Sequence, residues 1–185
     1  MNLVERVKNI LTSPKQEWTV IDAEPVNVGE LLTKYVLPLA AIGPIATLIG
    51  MSVFGFGGLF RVPIGTGLMA AIVSFVLAVA GVFILAWVIN ALAPNFGGQQ
   101  SMHQAIKVAA YSATPQWIAG IFGLVPALLP LAMLAGLYGL YLFYLGLPIL
   151  MKVPQEKAMI YTVVVIVAAV VLFLVAGAVT GGIVS

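Results

Sequence analysis

The run IGTGLMAAIVSFVLAVAGVFILAWVINALA, from Ile64 to Ala93, carries no charged residue. A helix needs about 20 consecutive apolar residues to cross a hydrocarbon core about 30 Å thick. This run exceeds that need, so it predicts a spanning helix that tilts or continues beyond the lipid. The rest of the chain has the same character. Of its 185 residues, 62% are hydrophobic and 8% charged, against roughly 25% charged in an ordinary soluble domain. There are too few polar residues to coat a soluble core of this length.

Four further runs qualify as spans. Leu31 to Val53 contains Pro38 and Pro44, and a glycine-rich link over residues 54–63 joins it to the run already quoted. After the polar turn Pro94 to Ser101 comes Ala105 to Val125, interrupted by Pro115. Pro126 and Pro130 bracket a short apolar turn into Leu131 to Met151, and Lys152 to Lys157 separates that run from Ala158 to Ala178. At 1.5 Å per residue, residues 105–151 are about twice one span long, so two crossings fit them better than one. The predicted fold is therefore all-α: a five-span membrane domain over residues 31–185, preceded by a segment of residues 1–30.

Lysine and arginine set the orientation, since they are retained on the cytoplasmic side. With five spans, Arg6, Lys8, Lys15, Lys34, Lys107, Lys152 and Lys157 share one side, and Arg61 alone lies on the other. This predicts a cytoplasmic amino terminus and an external carboxyl terminus. The first thirty residues show no cleavable signal pattern, so the first span is expected to act as its own insertion signal.

In the leading segment, Leu3, Val4, Val7, Ile10 and Leu11 recur at helical spacing, with Glu5, Arg6, Lys8 and Asn9 opposite. Ser13-Pro-Lys-Gln16 reads as a second helix start, with Ser13 as N-cap and Gln16 completing a capping box. One reading lays an amphipathic helix in the cytoplasmic interface, with Trp18 as an anchor at headgroup depth. The other packs it on the cytoplasmic ends of the spans. Asp22 and Glu24 read as a solvated acidic turn.

Several function classes are disfavoured by what the chain lacks. The net charge of +2 does not indicate a nucleic-acid partner, and there is no cysteine. Ionisable side chains at membrane depth signal catalysis or ion transport, and none stands centrally in a span. Glu30 and Lys34 are four apart at the start of the first span and suit a pair on one face. Lys107 is at the mouth of the third and can snorkel, and the lone His103 lacks partners for a metal site. No nucleophile–base pair or phosphate loop is found. Neither an enzyme nor a cofactor is expected.

Uncharged polarity and small residues remain. Tyr111, Ser112, Thr114, Pro115 and Gln116 form either a polar pocket or a hinge, or a plain kink at Pro115 with local compensation. Gly67, Ala71, Ser74, Ala78 and Gly81 line one stripe of the second span, and Gly177 and Gly181 make a GxxxG in the fifth. Such stripes let helix backbones approach closely. Packing within the chain explains them most simply, and a homo-oligomer interface is the sharper reading.

Four segments carry a family resemblance: Leu11-Thr-Ser-Pro-Lys-Gln-Glu-Trp18, Tyr111-Ser-Ala-Thr-Pro-Gln-Trp-Ile-Ala-Gly120, Leu137-Tyr-Gly-Leu-Tyr-Leu-Phe-Tyr-Leu-Gly-Leu-Pro148 and Met151-Lys-Val-Pro-Gln-Glu-Lys157. In order and spacing the chain resembles the prokaryotic branch of the Yip family, the Ypt-interacting proteins. The resemblance implies a five-span helical domain with a cytoplasmic amino terminus, in the plasma membrane of a prokaryote. Eukaryotic members are associated with Rab-type GTPases, vesicle traffic and membrane shaping. The leading expectation is a non-enzymatic membrane protein that organises the bilayer or recruits a cytoplasmic partner. The alternative is a small transporter, channel or lipid-moving protein with its polar site near the third span.

Overall fold

The computed structural model describes residues 2–25, 27–55 and 61–184; of residues 126, 129 and 172–184 it describes the backbone only. Helices α1 (Leu3–Thr12) and α2 (Pro14–Ala23) form a short hairpin. They are followed by α3 (Val28–Phe54), α4 (Ile64–Leu92), α5 (Met102–Ser112), α6 (Thr114–Ala119), α7 (Leu129–Leu150) and α8 (Gln155–Val184). Among the described residues, three stretches are long and apolar enough to cross a membrane: Val28–Phe54, Ile64–Phe96 and Pro130–Leu150. Part of the glycine-rich link, residues 56–60, lies outside the described residues.

Local chemistry accounts for the helix starts. Asn2 and Asn27 accept amide protons from Val4 and Glu30, each at 3.1 Å, and so cap α1 and α3. Ser101 caps α5 through the amide of Gln104. Ser13 stands at the N-cap of α2, but its side chain makes no capping bond, so the expected capping box is not formed. Pro14 in the first turn lacks only an amide proton that would have had no helical partner.

The prolines of the first long helix do not break it. Residues Leu32–Val36, just before Pro38, form a π turn, and a second π turn at Gly50–Phe54 ends the helix. Pro38 cannot donate to the carbonyl four residues back and its ring crowds it. One widened turn absorbs that conflict and the rod continues. Pro115 acts differently. Ala113 is a turn between α5 and α6, and Pro115 sits in the first turn of α6, where its missing amide proton costs nothing. The carbonyl that Pro115 leaves free, that of Tyr111, is taken by the amide of Ala113.

The outer faces of the long helices are apolar. Leu68, Met69, Ile72 and Val76 on α4, Met133 and Leu137 on α7, and Met159 and Val163 on α8 are all exposed. Among the described residues, the closest helix approach is not at the predicted stripe of α4. It lies where α3 crosses α6 and the 3-10 turn Gly120–Leu124. A Cβ on Gly120 would come within 2.6 Å of the Gly43 Cα, and one on Gly123 within 3.0 Å of the Thr47 amide nitrogen. Backbone meets backbone there, so van der Waals contact is gained without side chains to order.

One end of the bundle gathers the loops that follow α4 and α7. The amide of Gln99 donates to the carbonyl of Met151 at 2.8 Å. Gly97 takes a left-handed φ of 76° beside Pro154, a conformation that glycine adopts without strain. The hairpin of α1 and α2 packs at this same end.

Candidate functional site

The polar groups of the chain converge beneath the hairpin. Arg6 is fully buried. Its Nη1 donates to Glu17 and its Nη2 to Glu24, while its guanidinium carbon lies 5.6 Å from the centre of the Tyr111 ring. Lys107 reaches from α5 to the end of α2 and donates to the carbonyls of Ile21 and Glu24 at 2.6 and 2.7 Å. These carbonyls have no helical partner, and a cation there also meets the negative end of the helix dipole. Asp22 accepts from Gln104 Nε2 at 2.9 Å and from Lys152 at 2.5 Å. The hairpin is thus tied to α5 and to the loop before α8 by charge-assisted bonds.

Aromatic packing completes the attachment. Trp18, expected at headgroup depth, has no exposed surface and is enclosed by protein. Its six-membered ring lies against Gly146 of α7, where a Cβ would come within 2.7 Å of it, and it meets Tyr111 edge-on at 6.2 Å. Tyr111 also meets Tyr35 at 4.7 Å, and Tyr35 shares a 2.7 Å hydrogen bond with Thr114. On the far side Tyr138 Oη donates to the carbonyl of Leu11, the second-last residue of α1, at 2.7 Å. Tyr138→Phe removes that bond and keeps the ring. We expect a loss of about 1 kcal/mol in unfolding free energy and faster amide exchange at the end of α1, measured by hydrogen–deuterium exchange.

The residues expected near Pro115 fall into different surroundings. Tyr111 opens on a cleft of about 260 Å³ between the hairpin, α3 and α5, walled also by Glu24, Glu30, Lys34, Tyr35 and Lys107. Gln116 faces a second cavity of about 430 Å³ among α3, α4 and α6, with Thr47, Ala71, Ser74 and Ala78 in its walls. Thr114 is buried against Tyr35, and the Ser112 hydroxyl is buried with no partner among the described residues. Pro115 is buried beside them. Gly67, Ala71, Ser74 and Ala78 of the stripe on α4 border this cavity. Only Gly67 is tight, since a Cβ there would meet Leu48 and Ser52 within 2.9 Å. Gly81 is half-buried, and Gly177 and Gly181 lie where only the backbone is described.

The model of the Yip1 domain matches residues 8–177, from the hairpin to the last helix. The chain belongs to the Yip1 domain family. The inner membrane protein YohC of Escherichia coli K12 is 30% identical over 167 residues, which cover 86% of this chain and 85% of YohC. YohC of the O6:H1 strain matches to the same extent. No solved structure matches significantly. Family membership, the apolar helices and their apolar outer faces make this an integral membrane protein.

For this Yip1 domain protein, the buried charges are what the residue pattern had not marked. Helical spacing puts Arg6 on the polar face of α1, and Asp22 and Glu24 read as a solvated turn. Instead Arg6 points inward with Ile10, one helical turn on, and Glu24 and Asp22 each hold a cation. Glu30 and Lys34 do pair at 3.0 Å across one turn. Only local pairs can be read from spacing. The partners of Arg6 lie on other elements, and so do those of Lys107 and Lys152.

Proposed function

We propose that the chain is a five-span protein of a prokaryotic inner membrane which, without catalysis, presents its amino-terminal hairpin as a rigid platform for organising the membrane or recruiting a cytoplasmic partner. One observation carries this reading: the hairpin is locked onto the bundle by Lys107, by Asp22 with Gln104 and Lys152, and by Trp18 against Gly146, while the buried Arg6–Glu17–Glu24 network holds α1 on α2. A platform held that firmly keeps its outward face in one geometry, which lowers the ordering cost of binding. That face carries Lys8, Thr12, Lys15 and Thr19, all exposed. The five spans are α3, α4, the α5–α6 rod, α7 and α8. This assignment agrees with the gathering of hairpin, second loop and fourth loop at one end, and with the lysine and arginine bias. The similarity to YohC, an inner membrane protein, supports the inner membrane as location.

Two measurements test it. The chain has no cysteine, so single cysteines replacing Lys15 and Gln155 can be labelled from either side of intact membranes. Both are expected to react only from the cytoplasm, and labelling from opposite sides removes the topology. A photo-crosslinker replacing Thr19 is then expected to capture a recurrent protein or a second copy. Lipid alone at that position removes the recruiting role and leaves membrane organisation.

The cavity beside Gln116 supports a second reading, a lipid-moving protein. Its walls are mostly apolar and small, with Thr47, Ser74 and Gln116 as polar points. Ser112 and Thr114 stand outside it, so it is a pocket for an apolar occupant rather than a polar path.

A further inference from the structure

We infer that the cleft between the hairpin, α3 and α5 binds a phosphodiester with a neighbouring primary ammonium, the chemistry of a phosphatidylethanolamine headgroup. Donors are gathered at its inner end. Lys107 is 4% exposed and has three N–H donors, of which two are spent on the carbonyls of Ile21 and Glu24. Tyr111 is 6% exposed and lines the same cleft, and its hydroxyl makes no hydrogen bond among the described residues. A buried ammonium with a donor to spare, beside a hydroxyl without a partner, suits an anionic oxygen. Acceptors stand toward the mouth. Glu24 gives one carboxylate oxygen to Arg6 and keeps the other, and Glu30 is largely exposed in its pair with Lys34.

Charge balance selects a zwitterion over an anion. Arg6, Lys107 and Lys34 are matched in number by Glu17, Glu24 and Glu30. A ligand of zero net charge leaves this balance intact, whereas a net anion adds one negative charge to a partly buried site. Size agrees. A volume of about 260 Å³ falls below the roughly 300–1,000 Å³ of pockets that enclose drug-sized ligands, and so suits a headgroup. Depth agrees as well, because Lys107 is five residues from the start of α5, about 7.5 Å along the axis. That puts the donors near the headgroup layer if the hairpin end faces the cytoplasm. The inference rests on that part of the proposed function, which cysteine labelling reports independently.

Native mass spectrometry tests it, on full-length protein released from vesicles of phosphatidylethanolamine, phosphatidylcholine and phosphatidylglycerol in equal amounts. The wild type is expected to retain one phosphatidylethanolamine in preference to the other two. Phosphatidylcholine keeps the phosphate but has no N–H donor for Glu24 and Glu30, and phosphatidylglycerol lacks the ammonium. Tyr111→Phe keeps the aromatic packing and removes one hydrogen bond to a charged group, so retention should fall about tenfold with an unchanged melting temperature. Glu30→Gln, at an exposed position, should narrow the preference over phosphatidylglycerol. Soluble glycerophosphoethanolamine is added in a separate arm. Displacement of the lipid by it assigns the site to a soluble ester, and persistence of the lipid assigns it to the membrane. Equal retention of the three lipids, or full retention by Tyr111→Phe, overturns the inference.

Discussion

Arg6→Ala is expected to release α1 from α2 and from the bundle. The substitution removes the partner of Glu17, whose side chain is 8% exposed, and of one Glu24 oxygen, and takes the cation from the face of Tyr111. A buried carboxylate without a partner is the costly outcome, about 3–5 kcal/mol when one member of a buried ion pair is deleted. The loss falls on the attachment of α1 to α2 and to Tyr111, because α2 keeps its bonds to Gln104, Lys107 and Lys152. Limited proteolysis should therefore cut near Lys8 and Lys15, which are exposed, while the remainder stays protected. The melting temperature in detergent should fall with it. Arg6→Met combined with Glu17→Met should recover much of the loss, since the buried pair is then apolar and the Glu24 carboxylate that remains is partly exposed to solvent. An uncut hairpin in Arg6→Ala would show that Trp18 and Tyr138 hold it without the ion network.

Gly50→Ala is expected to have the largest effect of any single methyl added to the long helices. The new Cβ would overlap the carbonyl oxygen of Gly123 and come within 2.9 Å of that of Leu124. Both are backbone atoms at the crossing of α3 with the 3-10 turn Gly120–Leu124, so no side chain can turn aside. The rods must separate, and the Gly43–Gly120 and Thr47–Gly123 contacts loosen with them. Overpacking of this kind costs about 1–3 kcal/mol, and the backbone contact places Gly50→Ala at about 3 kcal/mol. Gly136→Ala on α7 is the comparison: nothing lies within 4 Å of its Cβ position. It should be neutral or stabilising by up to about 1 kcal/mol, as glycine is a poor helix former. Thermal unfolding of the two variants in one detergent decides the matter, and equal melting temperatures would remove the crossing as a source of stability.

The two substitutions differ in how far the residue pattern anticipates them. Small-residue stripes were legible, but on α4 Gly67, Ala71, Ser74 and Ala78 border a cavity. Gly43, Thr47 and Gly50 on α3, spaced by four and three, form the tight seam with Gly120 and Gly123. Both stripes have the same periodicity, and periodicity states which residues share a face without stating what that face meets. The kink at Pro115 was legible because proline carries its constraint with it. Its neighbours Tyr111, Thr114 and Gln116 were read as one polar group. They diverge because helical rotation turns them toward the hairpin, α3 and α4 in turn.

What the residues determined alone is the solvent of this protein and the places where the chain turns. Long uncharged runs have no favourable partner but lipid or one another, and that holds however the runs are arranged. Polar breaks, prolines and the lysine bias follow from local chemistry in the same way. The tertiary structure alone decided the fate of the charges at the hairpin end. Arg6, Glu17, Glu24 and Lys107 are ordinary surface residues by type, and each becomes a buried donor or acceptor only when a distant element brings its partner within hydrogen-bonding reach. Electrostatic attraction between such groups depends on distance and on exclusion of water, and neither quantity is carried by sequence separation.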